Sequence, residues 1–78
     1  MPPRVRRLAG SSWTSDRPVE GWRHFHVVGL RRTEAGWVAD LAASCEAARR
    51  VAVPARTLLA GEGWRAGWTP LAELTPGG

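Results

Sequence analysis

The chain has no lysine, asparagine, glutamine, isoleucine or tyrosine, and it has a single cysteine. Alanine, arginine, glycine and proline are abundant instead, as in proteins from GC-rich genomes. Because Cys45 is alone, no intramolecular disulfide can form, and a reducing cytoplasm is the expected compartment. We expect this thiol to serve as a small buried hydrophobic residue.

Long apolar runs are also absent. No segment approaches the roughly 20 apolar residues of a membrane span, and no apolar run follows the basic N-terminus, as it would in a signal peptide. The 78 residues suffice for one domain with a modest core. We therefore expect a flexible basic arm over residues 1–11, one tryptophan-rich β domain over 12–70 and a flexible tail over 71–78.

Eleven arginines against seven acidic residues produce a net charge of +4. This balance favours anionic partners such as nucleic acid, and it is equally compatible with a role in solubility alone. The arginines of the arm allow the same two interpretations, since such a segment either stays solvated or follows the phosphates of a nucleic acid.

Residues 22–32 are rich in aromatic and β-branched types, which predicts a strand. Alternation places Phe25 and Val27 on one face, and it places His24, His26 and Val28 on the other. Residues 31–36 predict a hairpin turn in which Gly36 supplies a positive φ if one is needed.

The segment from 37 to 48 fits two periodicities. Its odd positions are apolar, as in a half-buried strand, yet its alanines and the spacing of Trp37, Leu41 and Cys45 also suit a helix. We prefer a strand over 37–47, because the segment follows a short turn and leads into residues 49–54, which alternate and stop at a proline as an edge strand does. Residues 55–60 predict one helical turn that carries Leu58 and Leu59 inward.

The five tryptophans need partners, because a fully buried large side chain contributes roughly 1.5–3 kcal/mol. Residues 61–68 hold two of them between glycines, where they either close the core or form a contact surface. Trp13, set among small polar residues, is expected to plug one end of the core. The predicted fold is mainly β: a small curled antiparallel sheet, SH3-like and partly open, with the Trp13 segment and residues 61–68 as its remaining walls.

Four short motifs, in this order, carry a family resemblance: residues 8–14 (Leu-Ala-Gly-Ser-Ser-Trp-Thr), His24-Phe25 with Val27, Pro54-x-Arg56-x-Leu58, and Trp64-x-x-Gly67-Trp68. Together they resemble the small bacterial tryptophan-rich proteins, a family without an established activity. The resemblance covers residues 8–68 and implies a shared β-rich fold and a shared surface. Two departures bear on the ligand: Ala55 stands where members tend to have tryptophan, and residues 43–48 are less bulky.

Catalytic chemistry finds little support in the sequence. His24, His26 and Cys45 could be drawn as three ligands of a metal ion or as a Cys-His pair, but a fourth ligand and an oxyanion hole are not evident. Residues 61–63 lack the strand and the Lys-Ser/Thr of a phosphate loop. We expect no enzyme activity, no cofactor and no small-molecule substrate.

Binding is the better hypothesis. Arginines would neutralise phosphates while exposed indoles stack on unpaired bases, which favours single-stranded RNA because no recognition helix is evident. The alternative is a protein-interaction module or a small accessory subunit, since tryptophan and arginine dominate interface hot spots. The candidate binding residues are Trp13, Trp22, Arg31, Arg32, Arg49, Arg50, Arg56, Trp64, Arg65 and Trp68.

Overall fold

A computed structural model describes residues 1–70. Its elements are α1 (Pro3–Arg6), β1 (Ser12–Val19), β2 (Trp22–Thr33), β3 (Gly36–Ala43), β4 (Glu46–Pro54), α2 (Ala55–Ala60) and β5 (Trp64–Ala66). The five strands form one antiparallel sheet in the order β4-β3-β2-β1-β5, which is not closed into a barrel. The predicted mainly β architecture with a helical turn is confirmed.

Strand β2 is the central strand of the sheet and agrees with its prediction. Phe25 and Val27 are buried, while the histidines beside them are partly exposed. A bulge between Val27 and Gly29 then shifts the alternation by one residue, so that Leu30 also packs against the core. A two-residue loop leads from β2 into β3, and Gly36 has the positive φ of 118° that the turn was expected to need.

Strand β3 confirms the choice of strand over helix, but it ends at Ala43 instead of continuing to residue 47. Ser44 and Cys45 form a turn, and Cys45 is exposed, so the expectation of a buried thiol is wrong. The apolar alternation of the sequence continues through this turn, because alanine and cysteine are small and are tolerated at both buried and exposed positions. Strand β4 is the edge strand that was expected, and it ends at Pro54.

The Trp13 segment and residues 64–66 extend the sheet as β1 and β5, whereas the sequence predicted both segments as walls packed on it. Trp13 lies opposite Phe25 of β2 on one side and opposite Ala66 of β5 on the other. Strand β1 is therefore an interior strand. Small polar residues form a strand here because their side chains and backbone are satisfied by β2 and by the chain around β5.

The N-terminal residues contradict the prediction of an unpacked arm. Pro3 occupies a first-turn position that proline favours, and helical turns continue to about residue 9. Val5 and Leu8, three residues apart and thus on one side of these turns, are buried with 7% and 4% of their surface exposed. The burial of these two apolar side chains stabilises the packed turns, while the arginines between them stay exposed to solvent. The predicted tail, residues 71–78, lies outside the described residues.

The core lies on one face of the sheet, where both helices cover it. Phe25, Leu41 and Leu58 are its largest fully buried apolar side chains, and the neighbouring strand positions are filled by alanines. Leu58 of α2 points inward as predicted, and Leu59 is half-buried at the margin. Within residues 1–70, neither helix has the length and apolar character that crossing a membrane requires.

Candidate functional site

The sheet face turned away from the core, called the outer face here, carries an aromatic and basic surface. His24 and His26 of β2 point to this face because Phe25 between them points into the core. His26 lies opposite Ala42 of β3, which in turn lies opposite Arg50 of β4. His24 lies opposite Thr14 of β1, which in turn lies opposite Arg65 of β5. Two rows of side chains thus run across the sheet.

Residues 67–69, the strap, fold back onto this face after β5. The Gly67 N–H donates to the Ser12 carbonyl oxygen over 2.7 Å. The fully buried Thr14 hydroxyl donates to the Gly67 carbonyl oxygen over 2.7 Å and accepts the Thr69 N–H over 2.9 Å. His24 Nε2 donates to the Thr69 carbonyl oxygen over 2.7 Å. These bonds hold the strap against β1 and β2.

The strap presents Trp68 at the surface. Its indole stacks on the His24 imidazole, with ring centroids 6.0 Å apart and 23° between the planes. The indole N–H donates to the Phe25 carbonyl oxygen over 2.9 Å, so the polar edge of the ring is satisfied. Half of the residue's surface, 50%, remains exposed. Trp68 is therefore an exposed aromatic ring with a defined orientation.

Arginines lie on both sides of this ring. Arg50 and Arg65 occupy β4 and β5, the two edge strands, which are about 19 Å apart at the usual strand spacing. Arg65 Nε contacts the Asp16 carboxylate at 3.2 Å, and Arg31, further along the same face, contacts Asp40 at 3.0 Å. Exposed ion pairs of this kind contribute only about 0–1 kcal/mol, so both guanidinium groups can exchange partners with a bound anion.

The remaining predicted site residues lie elsewhere. Trp13 is in the core with 7% exposure, and its indole N–H donates to Ser11 Oγ, so little of its surface is open to a ligand. It is buried because its side chain points to the face of the sheet that the helices cover. Trp64 packs edge-on against Phe25 with centroids 5.6 Å apart. Arg49 is beside Glu20 at the β1–β2 turn, 3.8 Å away.

Trp22, Arg32 and Arg56 complete the predicted set. Trp22 is half-buried and lines a groove of about 230 Å³ together with His24 and Cys45. Arg32 and Arg56 lie towards the opposite end of β2, near Trp37. The structure therefore brings Arg31, Arg50, Arg65 and Trp68 onto one face and distributes the other candidates around the molecule.

Two residues near the candidate side chains were absent from the predicted set: His24, under Trp68, and Trp37, near Arg32 and Arg56. His24 was considered as a metal ligand, as part of a Cys-His pair or as a residue that satisfies buried hydrogen bonds, although the alternation of β2 already placed it on the face opposite to Phe25. No pattern in the sequence indicated that Trp68 would lie on it. Trp37 was considered only for its place in a strand or a helix and not as a binding residue. Among residues 1–70, no three histidine, cysteine, aspartate or glutamate side chains come together to hold a metal ion.

The fold and this surface describe a small single-sheet β domain that displays an ordered tryptophan among arginines. Residues 11–69 match the family model described as tryptophan-rich protein (DUF2389), and the chain belongs to this family. No curated protein and no solved structure matches the chain. The resemblance read from the motifs is thus confirmed.

Proposed function

We propose that this protein binds single-stranded RNA across the outer face of its sheet and performs no catalytic step. The observation that carries the proposal is the half-exposed Trp68 ring, held on His24 and fixed by its bond to the Phe25 carbonyl oxygen. A ring already oriented loses little side-chain entropy when a ligand binds. Stacking of one base on it would contribute about 1–3 kcal/mol, whatever the base.

The arginines supply the second half of the interaction. A strand that stacks on Trp68 and crosses the sheet would meet Arg50 on one side and Arg65 on the other. Phosphates bound there release counterions, which adds affinity that does not depend on sequence. His26, between Arg50 and the strap, provides a further ring or donor along the same path.

A single strand is favoured over a duplex. The two helices have four and six residues and lie against the core, so neither offers a recognition helix for a major groove. An open sheet face with a stacking ring instead suits bases that are unpaired. We place this activity in the cytoplasm, where the lone exposed Cys45 would stay reduced.

The test is a titration of a labelled single-stranded RNA decamer with the full chain, followed by fluorescence anisotropy at several salt concentrations. Trp68→Ala should weaken binding about 5- to 150-fold, the equivalent of one lost stacking contact. Trp68→Phe, which keeps a ring, should weaken it less. Arg50→Ala with Arg65→Ala should lower the salt slope by about 1.4, because each phosphate contact contributes about 0.7 for single strands.

The matched control is Arg32→Ala with Arg56→Ala, which removes the same charge near Trp37 and should leave the slope nearly unchanged. Circular dichroism checks that each variant is folded. If the two double variants lower the salt slope equally, the effect depends on net charge alone and not on the outer face. If Trp68→Ala binds RNA as tightly as the wild type, Trp68 does not stack on a base and the proposal is wrong.

A further inference from the structure

A second groove lies at the end of β2 opposite Trp22, on the side of the core. Its walls are Val5 of α1, Trp37 at the start of β3, and Ala55 and Leu59 of α2. Residues from three separate parts of the chain thus enclose one apolar depression of about 190 Å³. Small-molecule sites usually have about 300–1,000 Å³, so this groove suits one side chain of a larger partner better than a free ligand.

Trp37 is the main feature of this groove. Its indole is half-buried, packs against the margin of the core and also lines the groove. A concave apolar wall with a large aromatic residue is typical of a hot spot, where a partner's anchor side chain is desolvated. The ring differs from Trp68, because it lines a groove with aliphatic side chains, whereas Trp68 is exposed on the outer face.

The rim of the groove is basic. Arg56 contributes to its lining, and Arg32 lies opposite Trp37 in the β2–β3 register. Arg4 and Arg6 are the chain neighbours of Val5 in α1, and one acidic residue, the exposed Glu34, precedes the lining residue Ala35. The three ion pairs found within residues 1–70 involve other arginines, so these four guanidinium groups have no carboxylate partner in that part of the chain. The charge of the rim is therefore complementary to an acidic segment.

We propose that this groove binds an acidic segment of a partner protein, with one large apolar side chain inserted against Trp37 and with carboxylates on Arg32 and Arg56. Carboxylates match the planar guanidinium group through paired hydrogen bonds. The apolar recess takes an aliphatic or aromatic side chain without an unpaired polar atom. The site is separate from the outer face and does not depend on RNA binding.

The experiment uses labelled nonapeptides in which glutamates flank one central residue, either leucine, phenylalanine or alanine. Anisotropy titrations with the full chain should show saturable binding of the leucine or phenylalanine peptide. The alanine peptide should bind at least about tenfold more weakly, because its side chain leaves the recess unfilled. Trp37→Ala should remove this preference, with its folding checked by circular dichroism.

Because Trp37 also supports the core, a second variant keeps the test decisive. Arg32→Glu with Arg56→Glu changes only exposed side chains and should reduce peptide affinity by more than about tenfold. Arg50→Glu with Arg65→Glu makes the same change of charge on the outer face and should alter it less than about threefold.

Three results would overturn the proposal. The first is the absence of saturable binding by every peptide. The second is equal affinity of the leucine, phenylalanine and alanine peptides, which would leave only general charge attraction. The third is an RNA decamer that loses its binding in Arg32→Glu with Arg56→Glu but keeps it in Arg50→Glu with Arg65→Glu, which would assign this groove to nucleic acid and contradict both proposals.

Discussion

The Thr14 hydroxyl donates to the Gly67 carbonyl oxygen over 2.7 Å and fixes the position of the strap that carries Trp68. The Thr14 hydroxyl oxygen also accepts the Thr69 N–H, so one side chain satisfies two backbone groups from the far end of the chain. Thr14 is fully buried although it lies on the outer face. The exposed ring at the candidate site therefore depends on a buried hydroxyl.

Thr14→Val tests this dependence. Valine keeps the shape of threonine but leaves the Gly67 carbonyl and the Thr69 N–H without their partner, which should lower the free energy of unfolding by about 1–3 kcal/mol. Urea denaturation measures the loss. The maximum of the protein's tryptophan emission should also shift to longer wavelength, because Trp68 becomes more exposed as the strap loosens. Thr14→Ser retains the hydroxyl and should keep the emission of the wild type; if valine and serine behave alike, the hydroxyl does not hold the strap.

Leu8→Ala tests the packing of the N-terminal residues. Leu8 belongs to the core with 4% exposure, and truncating a buried leucine costs about 2–5 kcal/mol. Thermal and urea denaturation should show this loss. Arg7→Ala, at the exposed neighbouring position, should change stability by less than about 0.5 kcal/mol. If Leu8→Ala is as stable as the wild type, Leu8 does not pack in the core and residues 1–11 form the solvated arm predicted from the sequence.

Glu20→Asn should stabilise the protein. The β1–β2 loop consists of Glu20 and Gly21 with φ of 52° and 88°, and Glu20 is the non-glycine residue with positive φ in the described chain. Left-handed backbone costs most residues about 1–2 kcal/mol, whereas asparagine before glycine suits such a loop. The 3.8 Å contact with Arg49 is exposed and contributes little.

We therefore expect Glu20→Asn to raise the free energy of unfolding by about 0.5–1 kcal/mol. Glu20→Gln is its control, because glutamine removes the charge without favouring the left-handed conformation, and it should give no gain. A gain of the same size from glutamine would trace the effect to the lost charge and not to the backbone.

Cys45 should react fully in the native protein. Its place in the β3–β4 turn exposes it, so a maleimide dye should label it without denaturant at a rate close to that of the unfolded chain. Mass spectrometry counts the label. Cys45→Ser should take up no dye and should change stability by less than about 0.5 kcal/mol. If labelling requires urea, the thiol is buried in the native protein, as the sequence predicted.

The sequence by itself determined the local elements with strong patterns. Alternation identified β2 and the direction of Phe25, the Gly36 turn predicted the hairpin of β2 and β3, and Pro54 marked the end of β4. Weak patterns failed where the residues are small. Alanine and Cys45 are tolerated in a strand, a turn or a core, so the β3–β4 turn left no signal that periodicity could detect.

Which tryptophans are exposed was decided only by the tertiary structure. Trp13 and Trp68 both stand among small residues in the sequence, yet Trp13 points to the face of the sheet that the helices cover and joins the core, whereas the strap places Trp68 on the outer face. The bonds that make this difference join Ser12 and Thr14 to residues 67–69. Local composition cannot specify such contacts, because burial depends on which distant segment covers each face of the sheet.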